Sequence, residues 1–385
     1  MKLAKDIGLN RSFRLALITS QAFSISNFRG PLIRKLVEKG VKVYALAPDY
    51  DEASRVAVQL LGAVPVDSSM SRTGMNPLKD ISDFLRLSFQ LRKLQLDMTF
   101  AYFSKPVIYG TLAACLASVP NRFAMIEGAG YVFAEENKSS TRLCLLRAFV
   151  TCMNRFSLSR VKRVFLLNSD DKDLFVNSGM VSSEKVKLLD GIGLDLEHYQ
   201  NVKPILQPIC FILVARLLRE KGVYDYIQAV RKIKEVHPKV RFLLLGNMDL
   251  NPGSISESEV RGWVSEGLVE WPGHVSDVRI WIKQASVFVL PSYYREGLPR
   301  STQEAMAMGK PVITTDAPGC RETVDEGVNG FIVPVRNPKA LTKAMLKFID
   351  QPELIKKMGV SSRKLAEKRF DVQKINEQIL ATMGI

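Results

Sequence analysis

The chain has 385 residues, more than one ordinary core holds, and at roughly 150 residues per domain it predicts two domains. Hydrophobic residues make up 46% and charged residues 24%, and no window supplies the roughly 20 uninterrupted apolar residues of a membrane span; a soluble globular chain is expected. A net charge of +15 asks for an anionic partner, nucleic acid or an anionic membrane surface, or serves only as a solubilising surface.

In chain order, MKLAKDIGLNRSFRLALITS runs straight into a βα pattern and reads as a first strand, Phe13–Thr19, not a secretory leader. A Ser/Gly/Asn-containing loop follows, then a helix over Pro31–Lys39 and a strand over Val41–Ala47. Strands are expected again at Met98–Tyr102, Arg122–Ile126 and Arg163–Leu167. Proline-bearing sequence around Lys203–Pro208 marks a linker. The pattern restarts with a strand at Ile209–Val214, a helix at Gly222–Val236 and strands at Val240–Leu245, Val287–Leu290, Pro311–Thr314 and Gly330–Val333. From Phe370 the chain reads as a helix with Val372, Ile375, Ile379 and Leu380 on its apolar side. The simplest α/β architecture is two doubly wound, Rossmann-like domains facing across a cleft, with ligands at the carboxyl ends of parallel strands.

Five scattered cysteines without a CxxC argue against a disulfide framework or a zinc site and fit a reducing cytosol. With three histidines, a His-based metal site is not expected either. The basic charge is uneven. From Asn137 to Ser169 there is no acidic residue, while Lys138, Arg142, Arg147, Arg155, Arg160, Lys162 and Arg163 interleave with Leu145, Leu146, Phe149, Phe156 and Leu158. Segment 138–163 is therefore expected to lie on an anionic membrane surface. No nucleic-acid module or stacking set accompanies it, and no nucleic-acid partner is expected.

The stretch that carries chemistry is VLPSYYREGLPRSTQEAMAMGK, Val289–Lys310. A strand ends at Pro291-Ser292, a loop carries Glu296, Gly297 and Leu298, and a helix starting near Ser301 holds Glu304. Helix-start amides suit an anion, and carboxylates accept hydrogen bonds from sugar hydroxyls. Upstream, VARLLREKG places Arg216 and Lys221 just past a strand end, two cations able to neutralise a diphosphate. No G-x-G-x-x-G follows either first strand, which removes an NAD-dependent dehydrogenase.

The order Arg216…Lys221…Glu296…Glu304, with its Arg-x4-Lys-Gly and Glu-x7-Glu spacings, resembles the family-4 retaining glycosyltransferases of GT-B fold, and the similarity extends through nearly all of residues 13–385, including Pro318-Gly319 and Glu322. SNFRGPLI (Ser26–Ile33), SRTGMNP (Ser71–Pro77) and FAMIEGAGYVF (Phe123–Phe133) resemble, more narrowly, bacterial α-1,3-N-acetylgalactosaminyltransferases acting on undecaprenyl-diphosphate-linked sugars. Many family members carry histidine where this chain has Glu127, a departure that the narrower group shares.

The resemblance implies an acceptor-binding domain over 1–203 with the closing helix 369–385 returned to it, and a donor domain over 204–368. It implies that Arg216 and Lys221 stabilise the leaving diphosphate without a metal or other cofactor, that Glu296 binds the donor sugar and that Glu304 binds the ribose. The amides of Gly297 and Leu298 would contact sugar or phosphate, and Gly246 with His274–Val275 the base. Glu127 would serve as a sugar hydrogen-bond partner, a general base or a structural acid. Arg29 and Lys105, as cations in strand-end loops, would meet the lipid diphosphate with Ser24, Ser26 and Asn27. The implied partners are a UDP-sugar, best UDP-GalNAc for an α linkage, and a polyprenyl-diphosphate-linked sugar in glycan, O-antigen or capsule assembly at the cytoplasmic face of the membrane. UDP-Gal, UDP-Glc and UDP-GlcNAc are alternative donors, and a non-catalytic nucleotide-sugar-binding protein is the alternative of another class.

Overall fold

The computed structural model describes residues 11–70, 77–133, 141–249, 251 and 253–385. They divide into two compact units, one running up to Gly193 and regaining Val372–Ile385, the other Leu194–Asp371.

In unit 1 the chain forms β1 (Arg14–Ile18), α1 (Ala22–Glu38), β2 (Lys42–Ala47), α2 (Glu52–Leu60), β3 (Val64–Asp67), α3 (Pro77–Leu94) and β4 (Met98–Tyr102). A π-helical turn, Pro106–Gly110, leads into α4 (Thr111–Leu116), followed by β5 (Asn121–Ile126), α5 (Thr141–Leu158), β6 (Arg163–Leu166), α6 (Ser169–Asn177) and β7 (Val186–Leu188). Among the described residues the strands form a parallel sheet in the order β3-β2-β1-β4-β5-β6-β7. β1 and β4, at its centre, are almost wholly buried, which is why their sequences are continuous apolar runs. The edge strands β3 and β7 are short and half-exposed, and their sequences carry little strand signal.

Helix α1 starts nine residues earlier than the sequence pattern indicates. Gln21 stands at its N-cap without a side-chain cap bond, and the Ala22 N–H instead donates to Asp49 Oδ1 at 2.6 Å, a carboxylate beyond β2. Pro31 lies inside the helix, which absorbs the missing N–H donor. Ser24–Gly30 is thus helix, not loop. Of SRTGMNP, only Pro77 falls within the described residues, and Lys138–Ser140 of the basic segment also lie outside them.

Unit 2 comprises β8 (Cys210–Val214), a 3-10 turn (Arg219–Lys221), α7 (Val223–Val236), β9 (Arg241–Leu245), α8 (Glu257–Ser265), α9 (Arg279–Gln284), β10 (Val287–Leu290), α10 (Arg300–Ala307), β11 (Val312–Thr315), β12 (Gly330–Val333), α11 (Pro338–Asp350) and α12 (Glu353–Arg369). Among the described residues its parallel sheet has the order β12-β11-β10-β8-β9. Phe211, Phe242 and Tyr226 form an aromatic seam on this sheet, with Phe211 and Phe242 stacked at 5.7 Å. Residues 194–203 are held within unit 2: the Leu194 N–H donates to the Phe370 carbonyl at 2.7 Å, and the Tyr199 hydroxyl donates to Glu304. The last helix, α13 (Val372–Met383), belongs to unit 1, packs on α1 and buries Ile375, Ile379 and Leu380.

Candidate active site

In each sheet the strand order reverses direction once, between β1 and β4 in unit 1 and between β8 and β10 in unit 2. Loops leaving the carboxyl ends of such strand pairs diverge and leave a crevice for a ligand. In unit 2 these are the loops holding Lys221 and Glu296. Gly222 has φ +72°, and a Cβ there would lie 1.9 Å from the Pro291 carbonyl oxygen, so only glycine lets the two loops touch. The Tyr293 and Tyr294 N–H groups donate to the Glu220 carbonyl at 2.9 and 3.1 Å and lock them together.

This brings Lys221 Nζ onto Glu296 Oε1 as an ion pair, with side chains 11% and 12% exposed. The Ser292 hydroxyl lies 3.0 Å from the same oxygen, and the ammonium sits 5.1 Å from the Tyr294 ring centroid. Gly319, at φ +80°, backs the loop so closely that a Cβ would lie 2.6 Å from the Glu296 carbonyl oxygen, which accounts for the Pro318-Gly319 signal. Arg216 takes a different partner: its Nη1 is 2.8 Å from Asp249 Oδ2, and its side chain is 42% exposed. Gly246 (φ +147°) follows β9, where a Cβ would lie 1.8 Å from the Ala215 carbonyl oxygen. Its own carbonyl accepts from Trp271 Nε1 at 3.0 Å, and its N–H donates to the Gly273 carbonyl, next to exposed His274 and half-buried Val275.

Pro299 occupies the N-cap of α10 without a side-chain cap, and no acidic residue lies in the first turn. Gly297 and Leu298, both buried, form the approach, with the Leu298 carbonyl accepting from Gln303 Nε2 at 3.1 Å. Glu304 is buried one turn in. Its Oε1 accepts from the Tyr199 hydroxyl at 2.9 Å and from Arg300 Nε at 3.1 Å. Burial raises its pKa, opposed by the Arg300 charge and the Tyr199 hydroxyl. Glu296 and Glu304 therefore engage separate partner sets.

In unit 1, β1, β4 and β5 lie side by side. Glu127 follows β5 and pairs with Arg29 Nη2. Arg29 is not a loop cation: it projects from the interior of α1, is 1% exposed and lies 4.6 Å from the Tyr102 ring centroid. Ser24 is likewise helical and buried, its hydroxyl 3.1 Å from both Thr19 Oγ1 and the Tyr102 hydroxyl. Burial pushes the Tyr102 phenol up to about 12, so it stays a neutral donor. Ser26 is half-buried; Asn27 is exposed and donates to the Phe23 carbonyl. Lys105, beyond β4, meets Asp80 Oδ1 at 2.8 Å.

Residues 208–351 match the family described as glycosyl transferases group 1. This stretch of unit 2 therefore carries the group 1 glycosyl transferase match. It is 26% identical over 355 residues to the N,N'-diacetylbacillosaminyl-diphospho-undecaprenol alpha-1,3-N-acetylgalactosaminyltransferase of Campylobacter jejuni, covering 89% of this chain and 90% of that one. It is 23% identical to the UDP-Gal:alpha-D-GlcNAc-diphosphoundecaprenol alpha-1,3-galactosyltransferase of Escherichia coli, over 78% and 79% of the two chains. Its fold is GT-B, matching Anabaena Alr3699/HepE in complex with UDP and glucose with a TM-score of 0.76 at 18% identity, over 97% of this chain and 100% of that one.

Sequence motifs single out Glu304 and Arg216 but not their partners Tyr199 and Asp249, which stand outside any repeated spacing. Helix α5 leaves Leu145, Phe149 and Phe156 exposed, with Arg160 stacked 3.5 Å over Phe156. Among the described residues, no helix is long and apolar enough to cross a membrane, and no group of three His, Cys, Asp or Glu residues is placed to hold a metal.

Proposed function

We propose that the glycosyltransferase moves N-acetylgalactosamine from UDP-GalNAc, in α linkage and with retention of configuration, onto an undecaprenyl-diphosphate-linked sugar. The observation that carries the donor half is the Lys221–Glu296 pair at the β8/β10 crevice. A diphosphate entering there offers Lys221 a stronger anion, and Glu296, released, turns its oxygens to the sugar hydroxyls. As the glycosidic bond breaks, negative charge grows on the leaving diphosphate, where Lys221 and Arg216 stabilise it in place of a divalent metal. Glu304, held by Tyr199 and Arg300, takes the ribose hydroxyls. The Gly297 and Leu298 amides face sugar or phosphate, and the Gly246 and Val275 backbone faces the base. Support for this donor and acceptor comes from the similarity to the Campylobacter enzyme over nine-tenths of that chain.

On the acceptor side Lys105 supplies the cation, with Ser26 and Asn27 as hydrogen-bonding groups. Arg29, given its burial, holds Glu127 at the end of β5 toward the acceptor sugar. Helix α5 rests on the anionic cytoplasmic leaflet, where such an acceptor lies. A second donor, UDP-Gal or UDP-Glc, is favoured by the E. coli relative and by the UDP-glucose complex of the Anabaena protein.

The test is a panel of UDP-sugars with a polyprenyl-diphosphate-linked sugar, with and without a chelator. Fastest transfer from UDP-GalNAc, indifferent to chelation, is expected. Faster transfer from UDP-Gal or UDP-Glc replaces the donor assignment, and UDP-sugar binding without transfer from any donor overturns the catalytic reading.

A further inference from the structure

Helix α3 turns an apolar stripe away from the core. Ile81, Leu85 and Phe89, four residues apart, are 56%, 54% and 62% exposed, while Leu87 and Leu91 of the same helix are buried. A surface helix of a soluble domain ordinarily places polar residues there. The charges on α3 are sorted. Its acids Asp80 and Asp83 are buried, Asp80 against Lys105, whereas Arg86, Arg92 and Lys93 are exposed, with Lys93 Nζ 4.5 Å from the Phe89 ring. Helix α5 has the same character: Leu145, Phe149 and Phe156 outward, Arg142 and Arg155 beside them, and no acid from Thr141 to Leu158.

The two helices share one face of the sheet. From β3 the chain crosses to β4 and then steps outward through β5 and β6, so right-handed connections put α3, α4 and α5 on the same side. Both α3 and α5 pack against the Pro106–Leu116 segment, which contributes exposed Leu116.

We propose that α3 is a second lipid-docking helix, forming with α5 a single face that seats on an anionic bilayer. This rests on the docking already assigned to α5. Apolar side chains enter the headgroup region while arginine and lysine heads meet lipid phosphates. A second copy of the chain is the poorer occupant, because a two-fold contact would set basic residues against basic residues. Because the inner side of α3 holds Lys105 through Asp80, the helix that touches lipid also steadies the cation offered to the lipid-linked diphosphate.

The test is co-sedimentation of the full chain with phosphatidylglycerol/phosphatidylethanolamine vesicles, against phosphatidylcholine vesicles. The double variant Leu85→Glu/Phe89→Glu is compared with Leu145→Glu/Phe149→Glu and with the conservative Phe89→Trp. Each α3 and α5 double variant is expected to lose tenfold or more in binding to anionic vesicles with its melting temperature kept, and Phe89→Trp to retain binding. Should the α3 double variant misfold, retained binding by Phe89→Trp together with loss in single Phe89→Glu supports the assignment, and equal binding by both overturns it. Wild-type binding in the α3 variant beside loss in the α5 variant overturns this inference and leaves the α5 docking intact. Failure of the wild-type chain to bind anionic vesicles overturns both. Unchanged vesicle binding with a dimer lost in sedimentation velocity assigns the α3 face to a contact between copies instead.

Discussion

Lys221–Glu296 in unit 2 and Arg29–Glu127 in unit 1 each join a cation to a carboxylate across a long stretch of chain, but only the first draws both partners from loops at strand ends. Lys221 is 11% exposed and reaches solvent; Arg29, at 1%, is enclosed by α1, Tyr102 and Met125. A cation at the rim exchanges its carboxylate for a phosphate at little cost, because water and ligand share the change. One enclosed in the core cannot leave its partner without stranding a buried charge. Under the proposed function, the same chemical pair would act as an exchangeable ligand clamp in one unit and as a fixed positioning device in the other.

The sharpest way to break this comparison is Arg29→Ala. It leaves Glu127 beside an apolar interior and is expected to cost about 3–5 kcal/mol of stability, read as a lowered urea midpoint. The double variant Arg29→Met/Glu127→Gln should recover most of that loss; a single variant as stable as wild type refutes the fixed role. Next, Lys221→Ala is expected to lower kcat roughly 10²- to 10³-fold while changing stability less than Arg29→Ala does. A fall in stability matching that of Arg29→Ala erases the distinction between the two pairs. A smaller effect is expected at Tyr199→Phe, which removes one hydrogen bond to Glu304 and should raise the donor KM about threefold or more without changing the acceptor KM. Because that hydroxyl favours the ionised carboxylate against burial, its loss lifts the Glu304 pKa further, and the acidic limb of donor binding should move to higher pH.

The smallest effect concerns Lys310, buried in the turn between α10 and β11, with Nζ 2.6 Å from the Ala285 carbonyl oxygen. Burial lowers its pKa from 10.5 to about 8. Between these values the unfolded chain binds more protons than the native one, so this residue makes stability rise with pH over that window. Lys310→Met should flatten the rise in melting temperature from pH 8 to 10.5 relative to wild type; an unchanged slope shows that the ammonium is not held out of water.

The contrast also governs what could be read from residues alone. In unit 2 the strand pattern, the Lys-Gly turn and the Glu-x7-Glu spacing are local, and Lys221 meets Glu296 because β8 and β10 are parallel neighbours in the sheet. Local spacing therefore singles out Lys221, Glu296 and Glu304 as candidates, though not Tyr199, which reaches Glu304 across 105 residues. In unit 1 a helix was hidden by its own start. Ser24–Gly30 looks like loop because it holds serines, glycine and an approaching proline, and the acceptor for its first N–H sits on Asp49. No window on α1 contains that partner, so the residues alone place Arg29 in a loop. On α3, which carries no reading from the sequence pattern, Ile81, Leu85 and Phe89 have the spacing of a core-facing stripe yet face outward.

Helix α13 adds a matter of timing. It completes unit 1, yet the ribosome makes it only after all of unit 2. It buttresses α1, with Lys35 Nζ 3.4 Å from the Gln373 carbonyl oxygen and from Glu377, and α1 is the helix from which Arg29 reaches Glu127. During synthesis, then, unit 2 has its whole sequence available while α1 still lacks its cover. The enclosed ion pair of unit 1 gains its outer support last, after the sequence that forms the β8/β10 crevice of unit 2 has been made.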